Sequence, residues 1–362
     1  MMKKFIKLSI VLLIICLGTT ACSSLFKSRK IVIVYSSVFV PEEGGINFVQ
    51  ITTDSDAVAS PGYSATWKKS FTTEPSPYKD IRWYRYPVLA VSKDGESIGY
   101  ISHRNGATNV MIKSTKKGGS SVQQTFRSDV RCFAFSPDGS KVCYTEYRDE
   151  HRGIYMMNYN KGTVTQKISP TGLNDEGPSM SKDGNTIFLD RRESNSNYGL
   201  WSYNVSSGLF TNYSHGSSPC IDPSNNKIIY CARINRHNNR SNLDKTGDKT
   251  PYWEIWKVNT ETGAEELILT EPNASFSCPQ VSPDGKWILV TGANKSNNGI
   301  WNTNLFVIQS NGTNFRQLTF HPGNDMSGVW SPDGKSIYFI SQRGTEKGLY
   351  NVWKMDFQEY AM

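Results

Sequence analysis

Phe135-Ser136-Pro137-Asp138-Gly139, with the strand-like run Val142-Cys143-Tyr144 just behind it, decides the fold because the same phrase returns in register along the chain. It recurs as Val91-Ser92-Lys93-Asp94-Gly95, Met180-Ser181-Lys182-Asp183-Gly184, Val281-Ser282-Pro283-Asp284-Gly285 and Trp330-Ser331-Pro332-Asp333-Gly334. A degenerate copy stands at Ile221-Asp222-Pro223-Ser224-Asn225. Proline presets φ for a turn, aspartate bonds nearby backbone amides, and glycine accepts positive φ. Apolar and β-branched residues follow each copy, so each reads as a tight hairpin between two strands. Asp94, Asp138, Asp183, Ser224, Asp284 and Asp333 then mark six units, separated by 44, 45, 41, 60 and 49 residues.

A third strand follows in each unit, signalled by Gly153-Ile154-Tyr155, Gly199-Leu200-Trp201, Glu254-Ile255-Trp256, Gly299-Ile300-Trp301 and Gly348-Leu349-Tyr350. Glycine turns at Gly162, Gly208, Gly263 and Gly312 lead into a fourth strand. Four strands per unit of about 45 residues is the arithmetic of a propeller blade. The expected fold is therefore all-β: a six-bladed propeller of four-stranded antiparallel blades over residues 46–357, with 358–362 as a tail. The last unit lacks its fourth strand, and Gly45–Thr52 matches Gly312–Thr319 at five of eight positions. An N-terminal strand is thus expected to complete the last blade, an arrangement that leaves only short, protected edges. Two stretches break the rhythm: a long connection at 53–86 and an Arg/Asn/Lys-rich insertion at 233–251.

The first 45 residues address a compartment. Lys3, Lys4 and Lys7 precede an apolar run from Leu8 to Leu17, too short to span a bilayer comfortably, so residues 1–21 read as a cleaved export signal. Ala21-Cys22 resembles a lipoprotein cleavage site, making Cys22 the lipidated N-terminus and 22–45 a tether; ordinary cleavage beside an unmodified Cys22 is the other reading. Ser23 and Ser24 resemble outer-membrane sorting residues. Removing the signal lowers the formal charge from +8 to +5, a modest balance that points to no nucleic-acid partner. No later apolar run approaches a membrane span, so the lipid is the expected anchor. Cys132, Cys143, Cys220, Cys231 and Cys278 show no zinc spacing. Cys132 and Cys143 flank one hairpin and are either a cross-strand disulfide or small buried hydrophobes.

The recurrent hairpin followed by a Gly-Ile-Trp strand resembles the TolB-like propeller family over roughly residues 46–357. That resemblance implies a propeller serving as an envelope interaction platform, with envelope proteins or a peptidoglycan-associated lipoprotein as partner. The family's periplasmic member is soluble and carries an N-terminal α/β domain; this chain is expected to lack that domain and to carry a lipid anchor instead. A carbohydrate-binding or lyase-like surface propeller is the alternative that other relatives suggest.

No nucleophile elbow, P-loop or dinucleotide signature occurs, and no cofactor is implied. The repeat aspartates Asp94, Asp138, Asp183, Asp284 and Asp333 read as turn residues rather than a calcium ring. Trp201, Trp256, Trp301 and Tyr350 read as packing between blades. The loops before the inner strands supply the candidate binding residues at a channel mouth: Asn174, Asp175, Glu176, His215, His321, Asn324 and Asp325. His215 and His321 are either loop residues or a shared metal site. The leading expectation is a monomeric, non-catalytic, lipid-anchored scaffold at the outer membrane facing the periplasm, with surface display as the other topology.

Overall fold

The computed structural model describes residues 45–59 and 85–359, apart from 105, 117–118, 127–128, 149–150, 160–162, 195–196, 235–252, 272–273, 296–300 and 345–348. The export signal, Cys22 and most of the tether lie outside the described residues, as does nearly all of the basic insertion.

The first strand is β1 (Gly45–Gln50). Blade 1 follows as β2 (Leu89–Val91), β3 (Ser97–Ser102), β4 (Asn109–Ser114) and β5 (Val122–Gln123). Blade 2 is β6 (Val130–Phe135), β7 (Lys141–Arg148), β8 (His151–Asn158) and β9 (Val164–Lys167). Blade 3 is β10 (Asp175–Met180), β11 (Thr186–Ser194), β12 (Asn197–Asn204) and β13 (Phe210–His215). Blade 4 is β14 (Ser217–Asp222), β15 (Asn225–Ile234), β16 (Trp253–Asn259) and β17 (Glu265–Leu269). Blade 5 is β18 (Ala274–Val281), β19 (Trp287–Lys295), β20 (Trp301–Gln309) and β21 (Arg316–Gln317). Blade 6 contributes β22 (Asp325–Trp330), β23 (Ser336–Ser341) and β24 (Asn351–Phe357), and β1 pairs antiparallel with β24 to complete it. All six sheets are four-stranded, and the innermost strands touch in ring order, with β2 meeting β22.

The hairpin phrase forms one hydrogen-bonded unit. In blade 2 the Ser136 hydroxyl donates to Asp138 (2.6 Å), which also accepts the Ser140 amide (3.0 Å), while the Lys141 amide donates to Ser136 (2.8 Å). Gly139 takes φ 76°, a conformation that favours glycine. These bonds hold Asp138 down to about 2, through Ser136 first and then Ser140. The same Ser–Asp contact recurs at Asp94, Asp183, Asp284 and Asp333, so all five repeat aspartates sit in turns. Blade 4 reverses the roles: the Ser224 hydroxyl donates to Asp222 (2.6 Å), and Asp222 pairs with Asn225 across a shortened turn.

The ladder corrects one sequence alignment. Tyr155, Trp201 and Trp256 sit opposite Tyr144, Leu189 and Cys231, and the matching residues in blades 5 and 6 are Phe306 and Trp353. Trp301 lies five residues before Phe306, opposite Lys295, because the β19–β20 ladder pairs nine residues, the longest second-to-third-strand ladder among the described residues. Tyr350 lies three before Trp353 and bridges Val58. The register also separates Cys132 from Cys143: Cys132 faces Thr145, and Cys143 faces Ala134. All five described cysteines are buried free thiols.

Apolar faces between blades form the core. Gly99 shows how closely they meet, since a Cβ there would stand 2.7 Å from the Phe133 ring of the next blade. Arg–carboxylate pairs, each with at least one buried partner, then fasten the loop end of the blades. Arg191 binds Asp175 (2.7 Å) and stacks on Trp201; Arg233 binds Glu265 (2.8 Å) and stacks on Trp256. Arg343 binds Asp325 (2.6 Å) over Phe48, and Arg148 binds Glu146 (2.8 Å) over Tyr155. The aromatic residues of the third strands thus serve as platforms for these cations as well as packing surfaces.

Beyond β1, the long connection opens with structure. A 3-10 turn at Asp54–Asp56 leads to Val58, which bridges Ser102 of blade 1 and Tyr350 of blade 6. Asp56 is buried and accepts from the Thr53 amide (2.9 Å), Lys113 (2.9 Å), Ser121 (2.8 Å), Arg104 (3.1 Å) and Tyr100 (3.2 Å). Among the described residues, no helix is long and apolar enough to cross a membrane.

Candidate functional site

The six inner strands enclose a channel of about 380 Å³. Its walls come from every blade, through Ala90, Ala134, Ser179, Pro219, Gln280 and Val329. Pro137, Pro223, Pro283 and Pro332 of the repeat hairpins ring its mouth. Among the described residues, no Asp, Glu, Lys, Arg or His lines it. Tyr86, Cys132, Gly177 and Ser218 lie at the far end. Burial pushes the Cys132 thiol up to about 12, so it is no nucleophile at neutral pH.

The far end is closed by the chain itself. Residues 85–88 cross it before entering β2, and their backbone groups find partners in blades 4, 5 and 6. The Arg85 carbonyl accepts from Ser218 of blade 4 and from Ser277 of blade 5 (3.4 Å). Ser327 of blade 6 accepts the Val88 amide (2.9 Å) and donates to the Tyr86 carbonyl (3.2 Å). The Arg85 side chain, 1% exposed, binds Glu176 of blade 3 (2.9 Å) and stacks 4.1 Å above the Tyr198 ring. Arg152 binds the same Glu176 oxygen at 2.8 Å. The Tyr86 hydroxyl donates to Asp190, lying 2.7 and 2.8 Å from its two oxygens, and Asp190 also accepts the Ser217 hydroxyl (2.6 Å) and the Ser218 amide (2.8 Å).

Electrostatics divide the two carboxylates. Burial acts to raise both. Arg152, Arg85 and Arg131 nevertheless hold Glu176 below the usual carboxylate range. Asp190 is pushed up to about 6 by its burial, against the pull of Arg85 and with a further push from Glu176. The backbone here departs from regular strand: Gly177, Ser218, Cys278 and Ser327 take φ between 53° and 65°, each at a bulge in its inner strand. These bulges turn backbone and hydroxyl groups toward the crossing segment.

The residues expected at a channel mouth fall in two groups on opposite sides of the ring, in blades 3 and 6. Glu176 reaches the channel end, where it meets Arg85 and Arg152. Asp175 is fully buried with Arg191, and Asp325 with Arg343. The Asn174 side chain accepts the Arg152 amide (3.0 Å); Asn324 donates to Gln342 (3.0 Å) and accepts the Thr303 amide (3.0 Å). His215 is exposed at the end of β13, whereas His321 is buried and accepts the Gly323 amide (3.0 Å). Among the described residues, no three His, Cys, Asp or Glu side chains are placed to hold one metal ion.

Arg85, Tyr86 and Asp190 went unread in the sequence. Asp190 carried a signal: the positions matching it across the ladder are Ile101, Thr145, Ala232, Thr291 and Ile340, none of them charged. Arg85 and Tyr86 precede the first repeat and carried none.

A ring of six four-stranded blades, closed by its own N-terminal strand around a channel, defines a velcro-closed β-propeller. Residues 81–252 match the TolB beta propeller domain family. A protein assigned as TolB from Agrobacterium tumefaciens shares the fold at TM-score 0.55 and 17% identity, over 76% of this chain and 91% of that one. TolB from Acinetobacter baumannii does so at 0.51 and 15%, over 81% and 67%. Oligogalacturonate lyase from Vibrio parahaemolyticus does so at 0.52 and 12%, over 76% and 91%. The chain is a six-bladed β-propeller, and its residues 81–252 are similar to the TolB beta propeller domain.

Proposed function

We propose that this chain is a lipid-anchored cell-envelope protein whose propeller is a non-catalytic, protein-binding scaffold, with the channel entered from the hairpin face as its binding site. The observation that carries the reading is the chemistry of that channel, which is lined from all six inner strands and, among the described residues, by no charged side chain. Its volume suits one or two side chains of a partner, at the lower end of the range for ligand pockets. The carboxylates that acid–base or metal chemistry would draw on, Asp175, Glu176 and Asp325, are engaged by arginines of the same chain. The anchor rests on the export signal, Cys22 and the serines behind it, which favour the outer membrane facing the periplasm. At the loop face, exposed His215 and half-buried Asn174 and Asn324 are the members of the candidate set that a partner would reach.

The test is affinity capture of the intact lipoprotein from gently solubilised envelopes of its host, in parallel with Ala134→Trp, whose indole fills the channel. A partner that survives salt, depends on an open channel and rebinds when purified supports the scaffold. The Vibrio neighbour supplies the competing, carbohydrate-directed reading. Glycan binding lost on changing His215 or His321, with no channel-dependent protein partner, would establish that reading instead.

A further inference from the structure

The closed end of the channel has the composition of a recognition site: two carboxylates, an aromatic face and hydroxyls from three blades, converging on one dipeptide. Glu176 and Tyr198 hold a guanidinium, Asp190 with Ser217 holds a phenol, and Ser218, Ser277 and Ser327 hold the two carbonyls. The occupant is Arg85–Tyr86.

The fit is incomplete in one respect. Arg85 is essentially inaccessible to solvent, yet its Nε and Nη1 find no acceptor among the described residues. One of its nitrogens alone, Nη2, makes the bond to Glu176 (2.9 Å). Buried polar groups in native proteins almost always have partners, and an exception calls for an explanation. Arg152 takes up the same Glu176 oxygen, so two cations share one acceptor while Arg85 leaves two donors idle. Beside them Asp190 keeps its place at the cost of burial, which raises it to about 6. A segment placed only to complete the core would need none of these charges; an apolar pair would fill the space without buried ions.

We propose that this end of the channel is a binding site for an arginine–aromatic segment, filled by the chain's own Arg85–Tyr86 and open to exchange with a partner segment of the same chemistry. Exchange replaces the chain's own plug at this end with the partner's. The proposal extends the scaffold reading to a second face of the same channel and rests on it only for the notion that partners are proteins. Binding at the hairpin mouth stands or falls separately.

The experiment uses the mature chain and the acetylated, amidated tripeptide Arg-Tyr-Pro, with Glu-Tyr-Pro as control. Calorimetric titration of the double variant R85A/Y86A, which empties the site, is expected to show Arg-Tyr-Pro binding at least tenfold more tightly than to the unaltered chain, and the control not at all. A rise in the variant's melting temperature with Arg-Tyr-Pro is expected alongside. A cooperatively folded variant that ignores the peptide, or binds both peptides alike, overturns the proposal. Should the variant fail to fold, hydrogen exchange of the unaltered chain decides. The Val88 and Ser218 amides, bonded to Ser327 and Asp190, are expected to open at least tenfold more often than the β11 and β15 amides beside them. Exchange of all these amides only through global unfolding refutes a releasable occupant.

Discussion

Replacing Asp56 by asparagine should unfasten the strap that joins the last blade to the first. The residue is 3% exposed and its carboxylate gathers six donors from blade 1 and its own turn. Burial acts to raise it, yet the Thr53 amide, Lys113 and Ser121 bring it from 3.8 to about 2. Nearly two pKa units correspond to about 2.5 kcal/mol of stability at pH 7. A folded-state value below the unfolded one gives stability that is present above about pH 4 and lost as pH falls through 2. The contribution should therefore fall to roughly 1 kcal/mol at pH 3. For a domain of this size the neutral-pH loss lowers the melting temperature by about 5 °C. Asp56→Ala should cost more, roughly 3–5 kcal/mol, because it also strands the buried Lys113 ammonium. Calorimetric melting of the mature chain and both variants at pH 7 and pH 3 measures all of this. A melting difference for Asp56→Asn that is under 1 °C at pH 7, or that does not shrink toward pH 3, refutes the argument.

Asp190 predicts the opposite slope. Its folded value of about 6 lies above the unfolded one, so its contribution is fully present below about pH 4 and is lost as pH rises through 6, by roughly 3 kcal/mol. Asp190→Asn should flatten that part of the stability profile between pH 4 and 8 in denaturant titrations; an unchanged profile would count against a neutral carboxyl at this site. Ala134→Trp should leave the melting temperature within about 3 °C, because Ala134 faces the open channel, while weakening a purified channel partner at least tenfold. Unaltered affinity would place the binding surface elsewhere on the propeller.

The fold was legible because its defining element is local. A serine, an aspartate and a glycine within four residues build the whole hairpin turn, so spacing alone counted the blades and the β1 match closed the ring. Blade 4 was readable even with serine and aspartate exchanged, since either order makes the same bond. The third strand was misaligned in blades 5 and 6 because Gly-Ile-Trp and Gly-Leu-Tyr happen to occur a few residues early, and only ladder pairing reveals that Phe306 and Trp353 occupy the shared place. A second periodicity was present and unread: Arg104, Arg148, Arg191, Arg233 and Arg343 each follow the repeat position by eight to ten residues, and each pairs with a carboxylate. The closed channel end was beyond sequence reading. Arg85 meets Glu176 across 91 positions and Tyr86 meets Asp190 across 104, and no repeat links them.

These arginines change what the loop-end carboxylates mean. Read along the sequence, acidic residues before an inner strand suggest groups presented to a ligand. In the ring, Asp175 and Asp325 are the buried ends of pairs whose arginines sit over aromatic rings. Removing one partner of such a pair leaves a buried charge and costs several kcal/mol, so a change at Asp175 or Asp325 would report on blade integrity before it reported on binding. Substitutions that isolate recognition must therefore be made where no internal pair exists. On this molecule that means the channel wall from the hairpin side, where no charged side chain occurs among the described residues; on the loop side Arg85 and Tyr86 are themselves paired with Glu176 and Asp190, so their replacement is read against the folding of the variant. Each face can then be silenced without the other, which makes a scaffold with two separable surfaces distinguishable from a propeller with one.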